Sequence, residues 1–321
     1  LAVYTEVPDD EMAAFVARYR LGDLLAVKGI AEGVSNSNFL LHTAKGFFIL
    51  TLYEERTDAR DLPFFIGLME HLAKRGLTCP QPVKMLDGQS VGRLAGRPAA
   101  IVTFLDGISV RRPNATHCAE VGRGLALLHQ AGADFGMERV NSLSVPAWRP
   151  LADQAGAAAD TVSPGLQRRV MAEVEVHERS WPSDLPRGVI HADLFPNNVF
   201  FIKDRLSGLI DFYFACTDTF AFDIATCLNA WCFEADSSFN LTKGQALLAG
   251  YESVRTLAEA EVAALPQLCR GAALRFLLTR LVDYLNVPPG ALVKPLDPLE
   301  YDRKLVFHQR AADARDYGLR R

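Results

Sequence analysis

Residues Gly188 to Phe214 read GVIHADLFPNNVFFIKDRLSGLIDFYF, and this stretch decides the fold. Val199 to Ile202 is β-branched and aromatic, Lys203 to Ser207 is a polar turn, and Gly208 to Phe212 is a returning strand. In an antiparallel hairpin the first residue of one strand lies beside the last residue of its partner. The hairpin therefore predicts Asn198 and Asp211 at one end, with Cα atoms about 5–7 Å apart. Asp193, five residues before Asn198, opens at that same end. Two carboxylates and an amide oxygen are expected to converge there.

That set suits Mg²⁺ and a phosphate. Magnesium prefers hard oxygen ligands and takes only one or two from protein, the rest being water and phosphate. Asn198 and Asp211 are the candidate metal ligands, which leaves Asp193 as the candidate catalytic residue that orients and deprotonates an attacking hydroxyl. An Asp is a weak base, but phosphoryl transfer is largely dissociative, so positioning matters more than basicity.

Working outward, residues 8–20 predict a helix, with Met12, Phe15, Val16 and Tyr19 at helical spacing. Leu24–Ile30, Phe39–Thr43 and Phe47–Tyr53 predict strands, the last two joined by a turn at Ala44-Lys45-Gly46. Residues 62–75 predict a helix stopped by Gly76; Val83–Leu86 and Ala99–Leu105 predict strands after Pro80 and Pro82. Beyond Asp106-Gly107 the pattern turns helical over 115–131, 165–180, 223–233, 242–254, 259–287 (two helices) and 299–315. One strand pair, around 189–212, is expected to interrupt them. The fold class is α+β: a small antiparallel sheet lobe over 1–105 joined to a larger helical lobe over 106–321.

A chain of 321 residues, 49% apolar and 22% charged, has the composition of a globular protein. Its net charge of −4 lacks the basic stripe that nucleic acid requires. No uncharged apolar run approaches the roughly 18 residues that cross a membrane. The opening LAVYTEVPDDEMAAF is acidic and lacks a basic-then-apolar signal layout, so a cytoplasmic protein is expected. The six cysteines, 79, 118, 216, 227, 232 and 269, are scattered without a CxxC, which supports neither zinc nor disulfides.

The pattern His191-x-Asp193-x4-Asn198, followed by Asp211 on a strand, resembles the catalytic loop and metal motif shared by protein kinases and aminoglycoside-phosphotransferase-like kinases. The resemblance implies a two-lobed protein-kinase-like fold with ATP and Mg²⁺ as cofactors. Only eleven residues separate Asp211 from Asp223 and no Ala-Pro-Glu motif follows, which leaves no room for a peptide-docking activation loop. A small-molecule acceptor is therefore expected. In such kinases a second Asp braces the catalytic loop, a role that falls on Asp223, and His191 is expected to bond the loop backbone.

Gly33, Ser35, Asn36, Ser37 and Asn38 form the candidate phosphate loop, with hydroxyls and amides that can bond phosphate oxygens. Thr103, Phe104 and Leu105 form the connector where an adenine edge would meet backbone groups. Kinases of this fold usually pair a strand lysine with a helix glutamate. Here Thr51 stands at the lysine position and Phe64-Phe65 where the glutamate is sought, with Glu70 on another face.

The strings ILTLYE, HADLFPNNVFF, IDFYFAC and DIATCLNAWCF, with the Asn-Ser-Asn loop, look like the homoserine kinases within this group. That resemblance, over nearly the whole chain, implies ATP-dependent phosphorylation of L-homoserine, a step toward threonine. Asn229, Trp231 and Arg275 are the candidate substrate residues, Arg275 for the carboxylate because its fork fits one; Arg280 and Asp283 lie further along the same helix. A choline, methylthioribose or aminoglycoside kinase is the alternative, with Tyr213, Phe214, Trp231, Phe233 and Tyr284 as a possible aromatic cage. A non-catalytic ATP-binding module is a further alternative, suggested by Thr51.

Overall fold

The computed structural model describes residues 5–30, 36–54, 57–287 and 295–320. The chain divides into two compact units, Leu1–Gly107 with Ser207–Tyr213, and Ile108–Leu206 with Phe214–Arg321. The segment carrying Asp211 thus groups with the first unit, whereas the sequence places it in the helical lobe.

The first unit begins with α1 (Asp9–Val16), whose first turn holds Asp9, Asp10 and Glu11 against the positive end of the helix dipole. Strands β1 (Leu24–Ile30), β2 (Ser37–Thr43) and β3 (Gly46–Leu52) follow, then α2 (Leu62–Lys74), β4 (Gly92–Leu94) and β5 (Arg97–Thr103). They form one antiparallel sheet of order β1-β2-β3-β5-β4. Leu41 and Phe39 on β2, Leu50 and Leu52 on β3, and Ala99 and Ile101 on β5 alternate onto one face, where they pack with Met12, Phe15 and Val16 of α1. Val83–Leu86 is not a strand. Pro82 and Met85 make only isolated bridges to Val102 and Tyr19, because Pro82 has no N–H to donate and the Asp87-Gly88 turn reverses the chain. Gly92–Leu94 takes the edge position instead.

The second unit contains α3 (Ala115–Ala131), α4 (Val145–Ala155), the single turn α5 (Ala159–Val162) and α6 (Leu166–Ser180). Strands β6 (Arg187–Ile190), β7 (Val199–Ile202), β8 (Arg205–Leu209, which runs on into the first unit) and β9 (Cys216–Thr219) come next. Helices α7 (Phe220–Trp231), α8 (Leu241–Glu252), α9 (Glu259–Leu285) and α10 (Leu299–His308) complete it. β6 pairs antiparallel with β9, a partner the sequence pattern does not predict, and β7 and β8 form a hairpin.

Helix α9 runs unbroken through Pro266, where two helices are expected from sequence. The proline removes one N–H at a cost of about 3 kcal/mol. Burial of Leu265, Leu268, Leu274, Leu277, Leu278 and Leu281 offsets this, at about 2 kcal/mol for each fully buried leucine. Helices α3 and α8 approach closely through Gly122 and Gly250. A Cβ on Gly122 would overlap the Leu247 carbonyl, and one on Gly250 the Ala119 carbonyl. All six cysteines are buried and unbridged, and burial pushes the Cys79 and Cys216 thiols up to about 12. Among the described residues no helix is long and apolar enough to cross a membrane.

Candidate active site

Strand β6 delivers the chain into a tight loop, His191 to Asn198, whose shape is set by hydrogen bonds rather than by its own propensity. Ala192 sits at φ 62°, a left-handed conformation that costs an L-residue about 1–2 kcal/mol. Asp223 compensates. Its Oδ2 accepts from the His191 N–H at 2.7 Å and its Oδ1 from the Ala192 N–H at 2.8 Å. Asp223 lies in the first turn of α7 but does not cap it; Thr219 is the N-cap, and the Asp223 carboxylate serves the loop.

Burial alone would raise the Asp223 carboxyl. Bonds from His129 and from the His191 N–H outweigh burial and hold it below the usual range. His129 Nε2 donates to Asp223 Oδ2 at 3.1 Å, so its Nδ1 is the acceptor for the Tyr251 hydroxyl at 2.7 Å. Arg255 in turn donates to Tyr251 at 3.1 Å. Burial keeps His129 neutral against the pull of Asp223. His191 is buried, and its Nδ1 accepts from the Asp193 N–H at 3.3 Å.

Asp193 is fixed from the far side of the loop. Asn198 Nδ2 donates to the Asp193 carbonyl at 2.8 Å and to its Oδ2 at 3.3 Å. The amide nitrogen being so engaged, the Asn198 oxygen is the atom left for a cation. Burial pushes the Asp193 carboxyl up to about 6 against the opposing pull of Arg275 and Asn198, which makes it a stronger base than an ordinary aspartate.

The structure does not bring Asn229, Trp231 and Arg275 to a substrate surface. Asn229 is fully buried: its Nδ2 donates to the Ala225 and Cys269 carbonyls, and its Oδ1 accepts from His308. Trp231 is equally buried and donates to the Leu194 carbonyl at 2.7 Å. Arg275, on α9, donates from Nη1 to the Ala192 carbonyl at 2.6 Å, with its guanidinium 4.2 Å from the Phe276 ring centre and 5.6 Å from Phe214. Trp231 and Arg275 therefore both donate to backbone carbonyls of the His191–Asn198 loop. Helix α7 is buried nearly all round, so spacing along it cannot tell a pocket wall from core. An aromatic cage does not assemble either, since Trp231 faces the interior and Phe233 packs on Phe239, Phe307 and His308.

In the first unit Asp211 adopts φ 63°, and a neutral hydroxyl cluster lies nearby. The Tyr53 and Tyr213 hydroxyls are 3.2 Å apart, Tyr213 also bonds Thr51, and Thr51 donates to Asn38 Oδ1 at 2.8 Å. Thr51 and Asn38 face each other across β2 and β3, at the place where a lysine is usual. Among the described residues the partners of Glu70 are Ser90 and Lys84.

Of the candidate phosphate loop, Gly33 and Ser35 lie outside the described residues. Asn36, Ser37 and Asn38 turn their side chains inward. Ser37 donates to buried Glu54, and the Asn36 oxygen accepts from the Glu54 N–H and the Thr57 hydroxyl. A buried carboxylate at Glu54 needs donors, and Ser37 supplies one together with Thr5 and Arg97, while Asn36 holds the Glu54 backbone. Thr103 exchanges two hydrogen bonds with Gln81, while the Phe104 side chain is exposed.

With this geometry in place, comparison with known proteins is informative. Residues 26–257 match the phosphotransferase enzyme family. Curated relatives named homoserine kinase from Methylobacterium nodulans and Methylobacterium radiotolerans are each 66% identical over 318 residues, covering 99% of both chains. Another from Xanthobacter autotrophicus is 64% identical over 319 residues. Among solved structures, amicoumacin kinase bound to AMP-PNP and Ca²⁺ aligns with a TM-score of 0.65 at 16% identity, over 94% of this chain and 92% of that one. A choline kinase from Cryptosporidium parvum aligns equally well at 13% identity, over 94% and 95%. Those two likenesses show the kinase-like fold. The chain belongs to the phosphotransferase enzyme family, in the branch whose curated members are named homoserine kinase.

Proposed function

We propose that this protein transfers the γ-phosphoryl group of ATP to the hydroxyl of L-homoserine, yielding O-phospho-L-homoserine and ADP, in the cytoplasm and on the route to threonine. The observation that carries the reading is identity of 64–66% to curated homoserine kinases along essentially the whole chain. The loop geometry supports the chemistry. Asp193 accepts a hydrogen bond from the substrate hydroxyl and orients its oxygen toward phosphorus; the hydroxyl proton passes to the Asp193 carboxylate as the new P–O bond forms. Positioning supplies most of the acceleration in so loose a transition state. Asn198 holds Asp193 in place through Nδ2, and Asp223, His129, Trp231 and Arg275 hold the loop.

The Asn198 oxygen and the Asp211 carboxylate are each hard donors of the kind magnesium accepts beside water and phosphate, and each is a candidate ligand for it. Magnesium would neutralise phosphate charge, a task made heavier by Thr51 in place of lysine.

ADP release is measured with Mg-ATP and L-homoserine, D-homoserine, choline, methylthioribose or kanamycin. Turnover of L-homoserine alone is expected, and Asp193→Ala should lower kcat at least about 100-fold while retaining nucleotide binding. Silence on L-homoserine, or more than a tenth of kcat surviving in Asp193→Ala, would overturn the reading.

A further inference from the structure

Helix α9 carries a second arginine beyond Arg275. Arg280 Nη1 donates to Glu300 at 2.6 Å and to the Asp297 carbonyl at 3.4 Å. The other Glu300 oxygen accepts from Lys304 Nζ at 2.6 Å. Both cations lie over the Tyr301 ring, at 4.5 Å and 4.4 Å. The Arg280 and Lys304 side chains are only 12% and 6% exposed, so one carboxylate serves two largely buried cations. The Asp297 carboxylate is paired elsewhere, with Arg303 at 3.2 Å.

This cluster connects to the catalytic loop by continuous packing. Tyr301 contacts Phe276 with ring centres 5.2 Å apart, and Phe276 contacts Phe195 of the loop at 4.9 Å. The Asp193 carboxyl feels both Arg275 and Arg280. Of the three cations Arg275, Arg280 and Lys304, Arg275 has the carboxylates of Asp193 and Asp223 acting on it. Arg280 and Lys304 instead share Glu300, two largely buried cations to one carboxylate, an arrangement that an anionic ligand would balance.

The three cations are not equally available. Arg275 is bonded to Ala192 and enclosed by Phe276 and Phe214, and Lys304 bonds both Glu300 and the Asn229 carbonyl. Arg275 also leaves its Nε without a partner, but that atom is buried, whereas Arg280 is only partly buried. Among the described residues the Arg280 Nε and Nη2 donate to nothing, and these two nitrogens form the edge of the guanidinium that grips a carboxylate through two parallel bonds.

We propose that Arg280 recognises the α-carboxylate of the acceptor, with Glu300 fixing the orientation of its guanidinium, so that the enzyme selects hydroxyl-bearing amino acids over the corresponding amino alcohols. The inference rests on the homoserine reading above and names the residue that enforces it. The test compares kcat/KM for L-homoserine with that for 3-amino-1-propanol, which has the same ammonium and hydroxyl but no carboxylate. In Arg280→Met the ratio of the two should fall about 10- to 100-fold, the range of a charge-assisted bidentate contact, with the loss on L-homoserine falling mainly on KM. Arg280→Lys, which keeps the charge but not the fork, should fall in between and serves if the methionine variant does not fold. A ratio within threefold of wild type in the folded variants overturns the role of Arg280 and leaves the homoserine reading standing. Failure of the wild-type enzyme to use L-homoserine overturns that reading itself.

Discussion

Replacing Asp223 by Asn keeps its shape and removes one acceptor. If the amide oxygen takes the place of Oδ2, it still receives His191 N–H and His129 Nε2–H, but the amide NH₂ then faces the Ala192 N–H, donor against donor. One buried backbone N–H is orphaned, at about 1–3 kcal/mol, and two bonds lose charge assistance, at about 1 kcal/mol each. The expected destabilisation is therefore about 3–5 kcal/mol, a large share of the roughly 5–15 kcal/mol that holds a typical domain together. Function should suffer further. Without its acceptor, Ala192 has no reason to stay in the left-handed region, and a displacement of Asp193 by about 1 Å would cost about 100-fold in kcat. Urea denaturation followed by circular dichroism, beside kcat and the affinity for an ATP analogue, measures both effects. Asp193→Ala gives the contrast: burial opposes the charge on Asp193, so its removal should lower kcat with little loss of stability. If Asp223→Asn lost less than about 1 kcal/mol and kept kcat within tenfold, the bracing argument would be refuted.

Two further outcomes are expected. Burial presses His177 and His308 down to about 4 and about 3, so between those values and about 6.5 the unfolded chain binds protons that the native protein does not. Stability should then fall as pH drops below about 6.5, by about 2 kcal/mol per histidine at pH 5; Asp193, raised to about 6, returns about 1 kcal/mol, for a net loss near 3 kcal/mol. Melting curves at pH 8 and pH 5 check this, and equal stabilities would contradict it. At the α3–α8 contact, Gly250→Ala or Gly122→Ala should destabilise by about 1–3 kcal/mol, since the added methyl meets a backbone carbonyl that can move only with its helix. An unchanged urea midpoint would show that the helices separate more easily than their packing implies.

The juxtaposition of Asp193 and Asn198 was legible because it is local: the two are five residues apart and bond each other directly. Strands β1, β2, β3 and β5 were legible from their β-branched and aromatic runs, whereas the edge strand Gly92–Leu94 was not. What escaped the sequence was tertiary. Cys216–Thr219 forms a strand only because Arg187–Ile190 lies beside it. The inward bonds of Asn36 and Ser37 go to Glu54, 18 and 17 residues further along the chain. Arg275 and Arg280 share one helix and one residue type. What tells them apart is the bond from Arg275 to the Ala192 carbonyl, 83 residues distant in sequence, which spacing along the helix cannot show.

The loop's braces also bear on how activity is acquired. They come from α3, α7 and α9, and the pairs they close span 31 residues from Ala192 to Asp223, 37 from Leu194 to Trp231, 83 from Ala192 to Arg275 and 94 from His129 to Asp223. Contacts so distant in sequence form late, because each must close a long stretch of chain before it stabilises anything. A chain still emerging from the ribosome, or cut before α9, can hold helices without holding Asp193 in place. On refolding, the helical signal should return first and turnover last.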